Sequence, residues 1–419
     1  MGKVFEDSLI AGMKLKNRII RSATHEGLGD KDGRPMADLV DLYVKLAAGG
    51  VGAIITGYAG VQKNGRILLN MRMFDRDELI DDYKKMNAQI SQQGVPVIAQ
   101  LVHGGGQTSK HVRGEQAVAP SQKKYPLFSS MARELSENEI LQIINNFAEA
   151  VERSKKAGFA GVQLQAGNGW LLQEFLSPHL NTRKDRWGGN TENKFRILSE
   201  IIQKSRERVG NFPILAKFSA YDKDKGGTRI DEGIKIAELF QKTGFDAVEV
   251  TCGGSEDRNN TTRVAKIPLD ASFALVPWLR SLSMPKKALL RIMAPIVIKR
   301  HLPLYNYNVE AAARIKKNVD IPVIVVGGIR RLADMENILS ENKADYVSMC
   351  RPFIIEPDIV NKLKSGTQNE SRCINCGYCL LGVTGSKLKC YYGKVKKNHR
   401  QKVIPGKNSE DSRDTMFNC

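Results

Sequence analysis

Four of the seven cysteines fall within eighteen residues, as Cys373-x-x-Cys376-x-x-Cys379 followed by Cys390. Thiolates are soft ligands that select zinc or iron–sulfur clusters over hard cations. Three thiols this close, closed by a remote fourth, suit a 4Fe–4S cluster better than zinc. Structural zinc usually takes two separated Cys-x-x-Cys pairs, and only one compact run is present. A disulfide knot ranks third. Residues 1–7 lack the apolar core of a secretion signal, so the expected compartment is a reducing cytoplasm, where disulfides are rare. A cluster would make this a chain that handles electrons.

Other residues bear chemistry singly. Lys217 stands in the apolar run Ile214-Leu215-Ala216-Lys217-Phe218, and a buried ammonium needs an anion. That anion is either a neighbouring carboxylate or the N1/C2-carbonyl region of a reduced flavin. Gln100 and Thr24 also close apolar runs and can bond an amide-like ring edge, although such residues are ordinary at strand ends. Gly327-Gly328 and Cys350-Arg351 follow two further apolar runs. Glycine lets backbone N–H groups approach an anion and arginine adds a bidentate charge, the makings of a phosphate clamp. The plainer alternative is a tight turn beside a surface arginine.

These residues need elements to position them. Eight short apolar runs recur, at 18–23, 51–56, 95–101, 161–164, 213–218, 247–250, 322–326 and 346–349, each reading as a buried parallel strand. Amphipathic helical patterns intervene at 136–156, 193–209 and 231–243, the first opening on the capping box Ser136-x-x-Glu139. Repeated strand–helix alternation predicts an α/β fold, a (β/α)8 TIM barrel with a C-terminal cysteine-rich metal-binding appendix. A doubly wound open sheet is the alternative, but its glycine fingerprint after the first strand is missing. Barrel function collects at the C-terminal strand ends, where Thr24-His25, Gly57-Tyr58, Gln100, Gln165 to Trp170, Lys217 and Thr251-Cys252 fall. The long stretch 252–307, with a helical pattern at 285–300, is expected to be a substrate lid. The division is a barrel over 1–365, a cysteine-rich segment over 366–392 and a basic, flexible tail over 393–419.

The formal charge is +19, and Lys387, Lys389, Lys394, Lys396, Lys397, Arg400, Lys402 and Lys407 meet no acidic residue nearby in the chain. Nucleic-acid binding would want interleaved aromatics, and Tyr391 and Tyr392 are too few, so no nucleic acid is expected. A solvated tail is the simpler reading, and a docking surface for an acidic electron carrier of ferredoxin or flavodoxin type the functional one. No apolar run approaches the ~20 residues of a membrane span. A homo-oligomer is compatible with the composition.

Together the residues resemble the Old Yellow Enzyme group of FMN-dependent oxidoreductases. The likeness is carried by Asn17-Arg18-Ile19-Ile20-Arg21-Ser22-Ala23-Thr24, Gln100-Leu101-Val102-His103-Gly104-Gly105 and Phe175-Leu176-Ser177-Pro178. It continues through Asn181-x-Arg183-x-Asp185-x-Trp187-Gly188-Gly189, Val326-Gly327-Gly328-Ile329-Arg330 and Arg351-Pro352-Phe353. The cysteine run is similar to that of the 2,4-dienoyl-CoA reductase and trimethylamine dehydrogenase branch. The resemblance implies that Ala23, Thr24, Gly57, Gln100, Lys217, Gly327, Gly328, Cys350 and Arg351 contact FMN, and that Cys373, Cys376, Cys379 and Cys390 ligate the cluster. It also implies an ene-reductase that passes hydride from reduced FMN to an enone or enoyl thioester, with electrons from NAD(P)H or an external carrier. The larger relatives carry nucleotide-binding domains after the cluster, so a chain ending at Cys419 is expected to take electrons from outside.

One departure bears on mechanism. Where the family has a His/Asn pair and a proton-donating Tyr, this chain has Gln165-Ala166-Gly167-Asn168-Gly169-Trp170. Gln165 and Asn168 can still donate two amide hydrogen bonds to a substrate oxygen, but an indole N–H is no acid. Protonation then falls to His25, the preferred candidate, or to His103, Tyr58, Tyr221 or water. Amine dehydrogenation is the alternative chemistry on the same fold. A phosphate-handling lyase or isomerase with structural zinc, and an electron-relay subunit, are the alternatives from other classes.

Overall fold

Each of the eight apolar runs is a strand. The computed structural model describes residues 2–108, 112, 114–125, 130–254, 258–266, 268–298, 301–383 and 387–395. The strands are β1 (Ile19–Arg21), β2 (Ala53–Gly60), β3 (Val97–Val102), β4 (Gly161–Ala166), β5 (Ile214–Ser219), β6 (Ala247–Thr251), β7 (Val323–Val326) and β8 (Tyr346–Met349). All pair in parallel with their sequence neighbours, and β8 pairs with β1 to close the cylinder. Closure removes the sheet edges that an open doubly wound fold would leave.

Period-two alternation sorts the strand residues. One set faces outward against helices such as Glu137–Lys156 and Thr191–Val209, burying Phe147, Ile144, Phe195 and Leu198. The predicted capping box is present: Ser136 Oγ accepts from Glu139 N at 3.4 Å, and the Glu139 carboxylate accepts from Ser136 N at 2.9 Å. The other set faces the barrel axis. Ile20, Ile55, Ile98, Leu215, Ala247, Ile324 and Tyr346 pack there with Ile10, Met13 and Leu15. The last three come from the antiparallel pair Ser8–Ile10 and Met13–Leu15, which plugs the N-terminal end. Burying each such aliphatic side chain is worth about 1.5–3 kcal/mol.

Two residues further along, the inward positions turn polar: Ser22 after Ile20, Gln100 after Ile98, Lys217 after Leu215, Glu249 after Ala247 and Ser348 after Tyr346. All are buried, with Gln163 beside them. This polar layer forms the floor of the C-terminal mouth.

The β6–β7 connection holds the helices Leu269–Leu275 and Met284–Val297. After β8 and the helix Ile359–Lys364, the chain returns along the barrel mouth as the cysteine-bearing segment. Buried Glu356 anchors its start, accepting from Ser371 Oγ (3.0 Å), Arg372 N (2.8 Å) and Gln368 Nε2 (2.9 Å). Lys387 does meet an acid, pairing with Asp38 across the fold. Most of the predicted basic tail, residues 396–419 including Cys419, lies outside the described residues.

Candidate active site

A cavity opens where the strands end. It is lined by Ala23, Thr24, His25, Tyr58, Gln100, Gln165, Asn168, Trp170, Lys217, Gly327, Gly328, Cys350 and Arg351, among others. Every candidate flavin contact from the sequence except Gly57 lies on this wall, together with Gln165, Asn168, His25 and Tyr58; of the other proton-donor candidates, His103 and Tyr221 do not. The Gly57 amide turns away, donating to Glu26 Oε1 (2.9 Å) and Tyr43 Oη (3.1 Å), and a Cβ there would strike the Glu26 carboxylate. Glu26 is itself fully enclosed. Burial pushes its carboxyl up, but Arg21 and Arg72 overcome this and hold it below the usual carboxylate range.

The floor is a connected set of hydrogen bonds. Lys217 Nζ donates to Ser22 Oγ at 2.8 Å and lies 3.4 Å from Glu249 Oε2. Gln100 Nε2 donates to Gln163 Oε1 (2.7 Å), and Gln163 Nε2 to Glu249 Oε2 (2.9 Å). Lys217 is therefore anchored by a carboxylate, the ion-pair alternative weighed for it, and still faces the cavity. Gln100 keeps its Oε1 as an acceptor for whatever occupies the site.

Across the mouth, Gln165 and Asn168 do come together, bonded to each other and to the β6 end. Asn168 Nδ2 donates to the Cys252 carbonyl (3.2 Å) and Gln165 Nε2 to Asn168 Oδ1 (3.3 Å), leaving Gln165 Oε1 buried without a partner. Of the expected two-donor arrangement, the Asn168 amide is taken up by the Cys252 carbonyl and the Thr251 and Thr261 hydroxyls, while Gln165 Nε2 keeps a second N–H beyond its bond to Asn168.

His25 bonds Asn70 through Nε2 at 3.3 Å and stacks on Tyr58 with ring centres 5.0 Å apart. Burial brings its pKa down to about 4, so the ring is neutral near pH 7. His103 does not line the cavity; it bonds Asn64 and accepts from Gly105 N.

The β7 turn requires its glycines. Gly327 and Gly328 hold φ of 146° and 75°, and a Cβ on Gly328 would sit 2.2 Å from the Leu304 carbonyl oxygen. Arg351 is buried, with one guanidinium nitrogen donating to the Arg263 carbonyl at 2.9 Å. Arg263 itself stacks over Tyr307 at 4.2 Å. An acceptor edge, an ammonium, a glycine turn and an arginine along one cavity form a set that fits a ring with an amide-like edge and a phosphate tail.

Cys373, Cys376, Cys379 and Cys390 are all free thiols. Burial pushes the Cys379 thiol up to about 12, and the charges of Cys373, Cys376 and Cys390 push the same way. Among the described residues, however, no three His, Cys, Asp or Glu side chains converge closely enough to hold a metal ion. The segment reaches the cavity directly, since Leu380, next to Cys379, lines it. Arg330 lines the cavity too, and donates to the Cys373 carbonyl and to Asn375 Oδ1.

Sequence reasoning missed Glu249, Gln163, Arg263, Tyr307 and Leu380. The signal for Glu249 was present: a carboxylate inside Ala247-Val248-Glu249-Val250 must be buried and therefore partnered. The others depend on long-range packing.

Comparison with known proteins agrees with this geometry. The sequence profile of the NADH:flavin oxidoreductase / NADH oxidase family matches residues 3–262 and 277–370. An NADH oxidase of Thermoanaerobacter brockii is 32% identical over 394 residues, covering 92% of this chain and 55% of its own length. The chain thus spans about half of that relative. Among solved structures, a 2-naphthoyl-CoA reductase complex with 2-naphthoyl-CoA aligns at TM-score 0.78 and 22% identity, over 93% of this chain and 56% of that one. An Old Yellow Enzyme homologue from Zymomonas mobilis aligns at TM-score 0.72 and 21% identity, over 89% and 96%. Both share the barrel. Among the described residues, no helix is long and apolar enough to cross a membrane.

Proposed function

The chain belongs to the NADH:flavin oxidoreductase / NADH oxidase family, and from that premise we propose that it is an ene-reductase holding FMN at the barrel mouth. Its substrate is the activated C=C bond of an enone or enoyl thioester. FMN, when bound, would supply the two-electron chemistry that moves hydride from NAD(P)H to carbon. The observation that carries the reading is the cavity wall itself, with Lys217 and Gln100 on the floor and Gly327, Gly328 and Arg351 along the β7–β8 side. Gln100 Oε1 would accept from the ring's N–H, and Lys217 would face its carbonyl edge. The glycine turn and Arg351 would hold the phosphate.

Proton delivery to the second carbon falls to Tyr58 or to water. Trp170 has no titratable proton, and His25 is neutral with a conjugate acid at about 4. Tyr58 lines the cavity with His25 stacked on it. Gln165 and Asn168 would shape the substrate side of the cavity, where the second N–H of Gln165 remains for a substrate oxygen.

Cys373, Cys376, Cys379 and Cys390 would have to draw closer together than they stand here to hold a 4Fe–4S cluster, a one-electron carrier, with zinc the less suited occupant of an all-thiolate run at this spacing. Such a centre would suit exchange with an acidic electron carrier, given the chain's strong positive charge.

Amine dehydrogenation, with hydride running the other way, is the second reading on the same fold. The test is anaerobic purification after reconstitution with iron and sulfide, followed by metal and flavin analysis. Enones or enoyl thioesters that reoxidise the NAD(P)H-reduced flavin support ene-reduction, whereas amines that bleach the oxidised flavin support the second reading. A colourless protein carrying zinc would sink both.

A further inference from the structure

Glu249 is buried, does not line the cavity, and has no part in the chemistry described above. We propose that it is the positioning residue that sets the hydrogen-bond polarity and the net charge of the floor under the flavin. The proposal rests on the FMN reading.

Three hydrogen-bond donors and the Lys217 ammonium converge on its two oxygens. Ser22 Oγ and Ser348 Oγ donate to Oε1 at 2.5 and 2.7 Å, and Gln163 Nε2 donates to Oε2 at 2.9 Å. Lys217 Nζ stands 3.4 Å from Oε2. Burial works against ionisation, but Lys217 and these three donors hold the carboxyl below its usual range. An ionised carboxylate only accepts, and that one-sidedness propagates.

Side-chain amides can ordinarily turn end for end with little change in shape. Here they cannot. Gln163 must present Nε2 to Glu249, so its Oε1 faces Gln100. Gln100 must then donate through Nε2, at 2.7 Å, and offer Oε1 to the cavity. Ser22 has a single proton and gives it to Glu249, so its lone pairs are left to receive Lys217 at 2.8 Å. One carboxylate thus dictates which atom Gln100 shows the ring and where Lys217 is tethered.

It also sets the charge. A lone ammonium beneath the ring would favour the reduced, more negative flavin. With a carboxylate 3.4 Å behind it, that pull is largely offset. Glu249 therefore keeps the bound flavin's midpoint potential lower than Lys217 alone would make it. An ion pair serving only to bury Lys217 would alter stability and leave the potential where it was.

The experiment uses the FMN-loaded protein in anaerobic redox titrations against reference dyes, with FMN release measured in parallel. Glu249→Gln keeps the shape and removes the charge. It should move the midpoint potential to a more positive value, binding reduced FMN several-fold tighter relative to oxidised FMN. Gln163→Met keeps the carboxylate and cuts the relay to Gln100. It should weaken FMN binding several-fold with a potential near that of the parent. An unmoved or more negative potential in Glu249→Gln overturns the charge argument. Unchanged FMN affinity in Gln163→Met overturns the polarity argument, and this arm decides the matter should Glu249→Gln fail to fold. A parent protein that takes up no FMN fails the functional reading first, and this proposal with it.

Discussion

Gln165 Nε2 donates to Asn168 Oδ1 across 3.3 Å, and this single contact takes one of its two N–H groups away from the mouth of the cavity. Its direction is fixed from outside the pair. Asn168 sits at φ 59°, where its Nδ2 reaches the Cys252 carbonyl at 3.2 Å, and a carbonyl can only accept. Oδ1 must then face Gln165, whose own oxygen is left buried and alone.

A buried acceptor without a partner costs about 1–3 kcal/mol, more than one neutral hydrogen bond returns. Gln165→Leu should therefore leave the unfolding free energy within about 1 kcal/mol of the parent, despite truncating a buried polar residue. Urea unfolding of both proteins checks this. A loss of several kcal/mol would mean that the Gln165 oxygen is satisfied after all.

The Lys217–Glu249 pair should behave in the opposite way. Both side chains are almost wholly buried, and removing one partner strands the other charge. Lys217→Met should cost about 3–5 kcal/mol and release FMN. The double substitution Lys217→Met with Glu249→Gln should recover most of that stability without recovering FMN. Equal destabilisation in the single and double variants would show that the two charges do not depend on one another.

The barrel was legible in the sequence because parallel strands buried on both faces leave uninterrupted runs of Val, Ile and Leu, and all eight runs became strands. Where a run ends told which residues reach the mouth, so Thr24, Gln100, Lys217 and Arg351 could be placed without coordinates. What could not be read was direction. The expected donor role for Gln165 and Asn168 depended on which end of each amide points inward. That is decided by the Cys252 carbonyl, just past the end of β6 and more than eighty residues away. Gly57 misled for a related reason: it stands at the right strand position, but the buried Glu26, held by Arg21 and Arg72, takes its amide. Glu249 was overlooked because an apolar run draws attention to its majority rather than to its exception.

His25 gives a pH prediction. Its conjugate acid titrates at about 4 in the folded protein, chiefly through burial, against an ordinary value of 6.5. Between those values the unfolded chain binds a proton that the folded chain does not. The contribution is therefore fully present above about pH 6.5 and is lost as pH falls toward 4. His25→Asn should flatten part of the stability loss between pH 7 and 5 in urea unfolding. It should also leave the pH profile of NAD(P)H oxidation unchanged above pH 5.5 or so. A profile whose limb near neutral pH vanishes in the variant would restore His25 as the acid.

Arg330 links the flavin cavity to the cysteine segment, and its removal should separate the two functions. Its side chain is almost fully buried, lines the cavity, and donates to the Cys373 carbonyl and the Asn375 amide oxygen. Hydrogen bonds from a charged donor contribute about 1.5–3 kcal/mol each, enough to decide whether Cys373 and Cys376 stay near Cys379. Glu356 holds the preceding turn at Ser371 and Arg372 independently, so the segment should remain attached when Arg330 is lost. Arg330→Met is therefore expected to bind FMN one-to-one and to lose most of the iron that the parent takes up on anaerobic reconstitution. Arg330→Lys, which keeps one charged donor, should retain part of it. Parent-like iron content in Arg330→Met would show that the thiols find their places without this side chain.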